Sequence, residues 1–73
     1  MAGMPVVSGA ELVKALRRAG WVVSRRVGSH VIMEKEGLEP TLSVPQHKEL
    51  RPGTLHILLK QADISQDELR KLL

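Results

Sequence analysis

The chain has 73 residues, contains no Cys, Tyr or Phe, and carries a formal net charge of +3. A chain of this length supports one compact core, so we expect a single domain over residues 1–73. The absence of cysteine excludes disulfides, thiolate metal sites and cysteine nucleophiles, and it favours a reducing compartment, the cytoplasm. Trp21 is the sole aromatic residue, which argues against RNA-binding modules that stack bases on an aromatic sheet.

Basic residues are concentrated in the first half of the chain. Residues 1–33 contain five Lys or Arg against the single Glu11, whereas residues 34–73 contain six basic and seven acidic side chains. A basic half favours a polyanionic partner, nucleic acid above all, although a solvated basic surface has the same composition. No apolar run approaches the roughly 20 residues of a membrane span, so we expect no membrane partner.

The first predicted element is a helix over residues 9–19. Ser8 and Glu11 have the spacing of a capping box, in which each residue satisfies a free amide of the other. Apolar residues then recur at helical spacing, and Gly20 is expected to end the helix in a left-handed conformation.

Three strands are predicted next, over residues 21–27, 30–35 and 41–45. The first is rich in β-branched residues, and Gly28 begins a two-residue turn of the type that suits a hairpin. The segment 36–40 contains a glycine and a proline and is expected to be a loop.

Two further helices complete the chain. Pro52 is a favourable first residue for a helix over 52–62. Ser65 and Glu68 form a second capping box, which opens a short helix over 66–72. The order α-β-β-β-α-α predicts an α+β fold, a two-layer sandwich with helices on one face of a three-stranded antiparallel sheet.

The hairpin turn also predicts which residues share a sheet face. It pairs Val27 with His30, and the loop at 36–40 then pairs Ile32 with Val44. The face predicted to be covered by the helices holds Trp21, Val23, Arg25, Val27, His30, Ile32, Glu34, Leu42 and Val44. A bulge or a one-residue slip would reverse this assignment.

His30 is the candidate functional residue. It falls at one end of the central strand, on the rim of the covered face, and the predicted starts of both long helices lie at the same edge. Helix N-termini carry free amides and partial positive charge, which suits phosphate. The other residues assigned to this edge are Arg25, Arg26, His47 and Lys48.

Several ordered motifs resemble one known family, the HicA (YcfA-like) toxins. They are Gly28-Ser29-His30, Val44-Pro45-Gln46-His47, Leu50 to Leu55, Ile57 to Ala62, and Ile64-Ser65. The resemblance covers nearly the whole chain. It implies an mRNA interferase with a fold like the double-stranded-RNA-binding domain, held inactive by a HicB antitoxin, with His30 as the catalytic histidine. Asp63 departs from the family pattern, because we expect glycine after the second helix.

The chemistry of RNA cleavage fits a histidine. A base activates the ribose 2′-hydroxyl and an acid protonates the leaving oxygen, and free imidazole, with a pKa of about 6.5, suits either role. We therefore assign His30 as the general acid or base; the structural alternative is a rim histidine that donates to a backbone carbonyl. No metal is expected because His, Asp and Glu do not cluster at metal-ligand spacing, and no cofactor is expected either.

The remaining site residues are assigned to RNA binding. They are Gly28, Ser29, Arg25, Arg26, His47 and Lys48. Gly28 serves backbone geometry, the Ser29 hydroxyl is a phosphate ligand or only a turn residue, and the three cations are phosphate contacts or solvated charges. His47 is either a second proton carrier or an exposed loop histidine, whereas His56 is expected to be a surface or packing residue.

Three functions are therefore considered from the sequence. The first is an endoribonuclease toxin whose antitoxin covers the edge around His30. The second is a non-catalytic RNA-binding module of the same fold, which the variant His30→Ala distinguishes from the first. The third, a helical DNA-binding domain, is disfavoured by the strand signals at 21–27 and 30–35.

Overall fold

The computed structural model describes residues 3–73, which form three helices and one sheet. The elements are α1 (Gly9–Arg18), β1 (Val22–Val27), β2 (His30–Glu34), β3 (Leu42–Pro45), α2 (Pro52–Ala62) and α3 (Gln66–Leu72). The strands are antiparallel and lie in the order β1-β2-β3. The predicted α+β fold and element order are confirmed, and each predicted boundary lies within one residue of the observed one.

The helices begin where the sequence places capping boxes. Ser8 Oγ accepts a hydrogen bond from the Glu11 amide at 3.0 Å, and the Glu11 carboxylate accepts one from the Ser8 amide at 2.8 Å. Ser65 and Glu68 repeat this arrangement at the start of α3. No helix within residues 3–73 is long and apolar enough to cross a membrane.

Both long helices end in the same hydrogen-bond pattern, the Schellman motif. After α1, the Trp21 amide donates to the Leu16 carbonyl at 3.0 Å; after α2, the Ile64 amide donates to the Leu59 carbonyl at 2.9 Å. A glycine occupies the left-handed position after α1, whereas Asp63 occupies it after α2 with φ of 59°. The second helix therefore stops where predicted, although its stop residue is not glycine.

One apolar core joins the helices to one face of the sheet. The sheet contributes Val31 and Met33 from β2 and Leu42 and Val44 from β3, all buried. The helices contribute Leu12, Ala15, Leu16, Leu55, Leu58, Leu59, Ala62 and Leu69. Trp21 belongs to the same core at 1% exposure, and its Nε1–H lacks a hydrogen-bond partner among the described residues.

The predicted assignment of the covered face is wrong for β2. The β2–β3 register differs by one residue from the prediction, so Val31 pairs with Val44 and Ile32 with Ser43. A bulge between Val23 and Arg25 also shifts the β1–β2 register. Because successive strand residues point to opposite faces, the one-residue change moves Ile32 to the open face.

The same register places His30 on the open face rather than on the rim of the covered one. Its neighbour Val31 is buried, whereas His30 itself is exposed. Arg25, Val27 and Glu34 were also predicted for the covered face; Arg25 pairs with Ile32 and Val27 with His30, so they share the open face. The sequence does not determine which face of β2 packs against the helices, because the strand has apolar residues on both faces.

Candidate active site

His30 is the first residue of β2 and lies open to solvent. It pairs with Val27 on β1 and with Pro45 on β3, so these residues form one row across the open face of the sheet. The two-residue turn before it allows this close pairing. A type II′ hairpin turn requires a positive φ at its first central residue and a negative φ at its second. Gly28 has φ of +58° and the φ of Ser29 is not positive, so the turn fits this type.

Three segments meet at this end of the sheet. The Gln46 amide donates to the Ser29 carbonyl at 2.7 Å, which joins the hairpin turn to the segment after β3. The Gly9 amide donates to the His47 carbonyl at 2.9 Å, which joins the start of α1 to the same segment. The hairpin turn, the end of β3 and the start of α1 therefore converge at one edge, as predicted.

The two helix starts differ in their capacity to bind an anion. At α1 the Glu11 carboxylate and the Ser8 hydroxyl already occupy the free amides. At α2 the N-cap residue is Arg51, no side chain of residues 3–73 caps the helix, and the first turn contains no acidic residue. The positive end of the helix dipole is therefore unopposed at α2, where it adds to the charge of Arg51.

The candidate cations lie on different sides of the sheet. Arg25 pairs with Ile32 and shares the open face with His30, whereas Arg26 pairs with buried Val31 and points to the opposite side. Lys48 is exposed in the segment between β3 and α2. None of these three cations lies within salt-bridge distance of a carboxylate in the described part of the chain, so their charges are free to meet an anionic ligand.

Comparison with known protein families gives a match over most of the chain. Residues 9–64 match the family described as the HicA toxin of bacterial toxin–antitoxin systems. The chain belongs to the HicA toxin family. It is therefore the toxin component of such a system, and its partner is an antitoxin. A comparison with curated proteins finds no match.

The part of this HicA toxin that matches the family includes the whole candidate site. It begins at α1 and ends just after α2, so His30, the hairpin turn and the segment after β3 all fall within it. The resemblance drawn from the sequence motifs is thereby confirmed at the level of the family.

The other two histidines occupy different surroundings. His47 is exposed in the segment that contacts the hairpin turn, but the one-residue change in register places Gln46 rather than His47 beside Ser29. His56 is exposed on α2, as expected for a surface residue. His56 therefore offers a natural control for substitutions of His30.

Two residues beside the candidate site were not assigned a role from the sequence. Gln46 is half-buried, and its side-chain amide donates to the Val44 carbonyl at 3.1 Å, which stiffens the chain beside His30. Arg51 lines a groove of about 310 Å³ together with Pro45, His47, Thr54 and the acidic Glu49. Both fall within the motifs that carry the family resemblance, but neither was given a role there; Gln46 directly follows a strand end and Arg51 directly precedes a helix-initiating proline.

The groove beside Pro45 adjoins the His30 row, whereas a larger cavity is remote from it. That cavity, of about 610 Å³, is lined by residues from the far end of β2 and the ends of the helices, including Lys35, Leu38 and Ile64. Within residues 3–73 no three His, Cys, Asp or Glu side chains lie together as in a metal site. The site at His30 is thus an open surface, which suits a polymer lying across it.

Proposed function

We propose that this HicA-family toxin is an endoribonuclease, an mRNA interferase that acts in the cytoplasm with His30 as general acid or base. The observation that carries this proposal is the exposed imidazole on the open face, with the unpaired guanidinium of Arg25 on the same face. The proposed RNA contacts are Arg25, Lys48, His47 and the Gly28-Ser29 turn. Arg26 points away from this face and is left out of the proposed site.

The proposed reaction uses the ribose as its own nucleophile. A base accepts the proton of the 2′-hydroxyl, the 2′-oxygen forms a bond to phosphorus, and the bond from phosphorus to the 5′-oxygen breaks. The leaving 5′-oxygen takes up a proton, so the products are a 2′,3′-cyclic phosphate and a 5′-hydroxyl. His30 performs one of the two proton transfers, and the nearby cations stabilise the charge on phosphate.

This route needs no metal ion. The ribose supplies the nucleophile, and side chains can carry both protons. DNA lacks the 2′-hydroxyl and is therefore not a substrate for this chemistry. Cleavage is expected to persist in the presence of a chelator such as EDTA.

We further propose a HicB-type protein as the antitoxin. An inhibitor that covers the open face around His30 blocks the substrate in the simplest way. The unpaired cations at this edge favour an acidic inhibitor surface, which would also speed its capture. A complex in which the antitoxin contacts only the helical side would contradict this arrangement.

The matched variants His30→Ala and His56→Ala test the catalytic assignment. Each variant removes one exposed imidazole, but only the imidazole of His30 is proposed to act on RNA. We expect His30→Ala to lower the rate of RNA cleavage by about 10²–10⁴-fold and to abolish growth arrest, because general acid–base catalysis contributes about this much. His56→Ala should cleave RNA at the unmodified rate and arrest growth. Coexpression of the antitoxin should then restore the growth of these cells.

Two outcomes would contradict the proposal. If His30→Ala, shown by circular dichroism to be folded, cleaves RNA at the unmodified rate, the histidine is not catalytic. If the unmodified protein binds RNA but never cleaves it, the non-catalytic RNA-binding module becomes the better description.

A further inference from the structure

The row that contains His30 has apolar side chains on both sides of the imidazole. Val27 on β1 and Pro45 on β3 are its direct cross-strand partners. Residues paired in this way share one face of the sheet with their Cβ atoms about 4.5–5.5 Å apart. The candidate catalytic group is therefore flanked on the open face by a valine and a proline.

Val27 belongs to the edge strand β1, whose six residues are all exposed. Its side chain is 54% exposed, whereas the apolar residues on the covered face of β2 and β3 are almost wholly buried. Trp21, the sole aromatic residue, is 1% exposed and is not accessible for stacking. Apolar contact with a nucleobase beside His30 must therefore come from aliphatic side chains.

We propose that Val27 and Pro45 contact the two nucleobases on either side of the scissile phosphate, with His30 between them. This inference rests on the proposed nuclease function and adds a base-binding subsite to it. Arg25 lies two residues from Val27 on the same face and neutralises a neighbouring phosphate. The subsite recognises the apolar faces of bases, so it takes unpaired RNA.

The spacing of the strands determines the conformation of the bound RNA. Neighbouring strands lie about 4.7–4.9 Å apart, so Val27 and Pro45, on either side of β2, are separated by about 9–10 Å. Stacked bases on one strand lie only about 3.4 Å apart. Two adjacent bases that reach Val27 and Pro45 are therefore unstacked and splayed, as in single-stranded RNA recognition.

Splaying the two nucleotides also assists the proposed reaction. In a stacked A-form strand the 2′-hydroxyl is not in line with the bond to the leaving 5′-oxygen. Turning the two bases apart rotates the backbone between them and allows the in-line approach. The subsite thus makes duplex RNA a poor substrate, although the fold is similar to that of duplex-binding domains.

The variants Val27→Ala and Val22→Ala test the subsite. Both valines belong to β1 and share the open face, and Val22 is similarly exposed at 59%, but it pairs with Glu34 at the other end. The probe is a 5′-labelled, unstructured RNA transcript, used alone and annealed to its complement. Circular dichroism and thermal unfolding check the fold, and Val27→Thr, which keeps the β-branched shape, serves as a second variant.

We expect Val27→Ala to lower kcat/KM on the single strand by about 3–10-fold, because it removes two methyl groups that are partly buried against a base. The cleavage positions should also become less selective for the base beside the cut. Val22→Ala should stay within about twofold of the unmodified protein, because it removes the same groups away from the row. The annealed transcript should be cleaved poorly by the unmodified protein and by every variant.

Other results would overturn the subsite and leave the nuclease function intact. One is equal cleavage by Val27→Ala, Val27→Thr and Val22→Ala; another is cleavage of the annealed transcript as fast as the single strand. A third is weaker antitoxin binding by Val27→Ala with unchanged cleavage, which would assign the row to the protein partner. Undiminished cleavage by folded His30→Ala would instead refute the nuclease mechanism itself.

Discussion

Adjacent residues on a strand point to opposite faces of the sheet. Arg25 and Arg26 have the same chemistry and are both exposed, but Arg25 pairs with Ile32 on the open face and Arg26 with Val31 on the other. Only Arg25 shares a face with His30. The two arginines thus provide an internal comparison in which the side-chain charge and the strand are the same.

Measurement of RNA affinity against salt concentration separates these two arginines. In a His30→Ala background, which we expect to bind without cleaving, Arg25→Ala should lower affinity and reduce the slope of log K against log salt by about 0.7, the value for one phosphate contact on a single strand. Arg26→Ala should leave the slope unchanged. Equal losses of slope would show that RNA contacts both sides of β1.

At the scale of whole elements, the helices are defined mainly by their ends. Capping boxes open α1 and α3, and Schellman motifs close α1 and α2. The weak point is Asp63, which holds a left-handed conformation that Asp tolerates better than most L-residues but less well than glycine. Its energetic cost is offset by the hydrogen bonds that its amide donates to the last turn of α2.

Asp63→Gly should therefore stabilise the protein. Relief of the left-handed strain exceeds the added entropy of the unfolded chain, so the free energy of unfolding should rise by about 0.5–1 kcal/mol. For a domain of this size the melting temperature should rise by about 2–8 °C in circular dichroism. Gly20→Ala, at the equivalent position after α1, should lower it. A lower melting temperature for Asp63→Gly would refute the argument that the left-handed conformation strains Asp63.

At the scale of the whole molecule, close packing couples the helical layer to the edge of the sheet that carries His30. Gly9 at the start of α1 lies so close to the end of β3 that an added Cβ would overlap the Pro45 carbonyl and approach Gln46 Cα to 2.8 Å. The Gly9 amide also holds the His47 carbonyl. The position of the segment beside His30 therefore depends on the absence of a side chain on α1.

Gly9→Ala and Gly53→Ala compare a crowded helical glycine with an open one. A Cβ on Gly53 meets nothing within 4 Å. We expect Gly9→Ala to lower the free energy of unfolding by about 1–3 kcal/mol, as overpacking does, and also to lower RNA cleavage under conditions where the variant stays folded. Gly53→Ala should raise stability by up to about 1 kcal/mol and leave cleavage unchanged. If denaturant unfolding gives Gly9→Ala and Gly53→Ala the same free energy of unfolding, the crowding at Gly9 does not constrain this edge.

The sequence by itself determined the features that depend on nearby residues. Both capping boxes, the glycine-led hairpin turn and the order of the elements are formed by residues a few positions apart, so their patterns are readable without a fold. The ordered motifs also indicated the HicA family, and the convergence of helix starts near His30 followed from the element order alone. The catalytic and RNA-binding roles remain predictions.

Only the tertiary structure decided which face of the sheet carries His30. Strand residues alternate with a period of two, so one bulge in β1 and a one-residue change between β2 and β3 exchange the faces. The sequence of β2 fits either choice, because Val31 and Met33 are as suited to a core as Ile32. Packing against the helices selected Val31 and Met33, and that selection left His30 and Arg25 together in solvent.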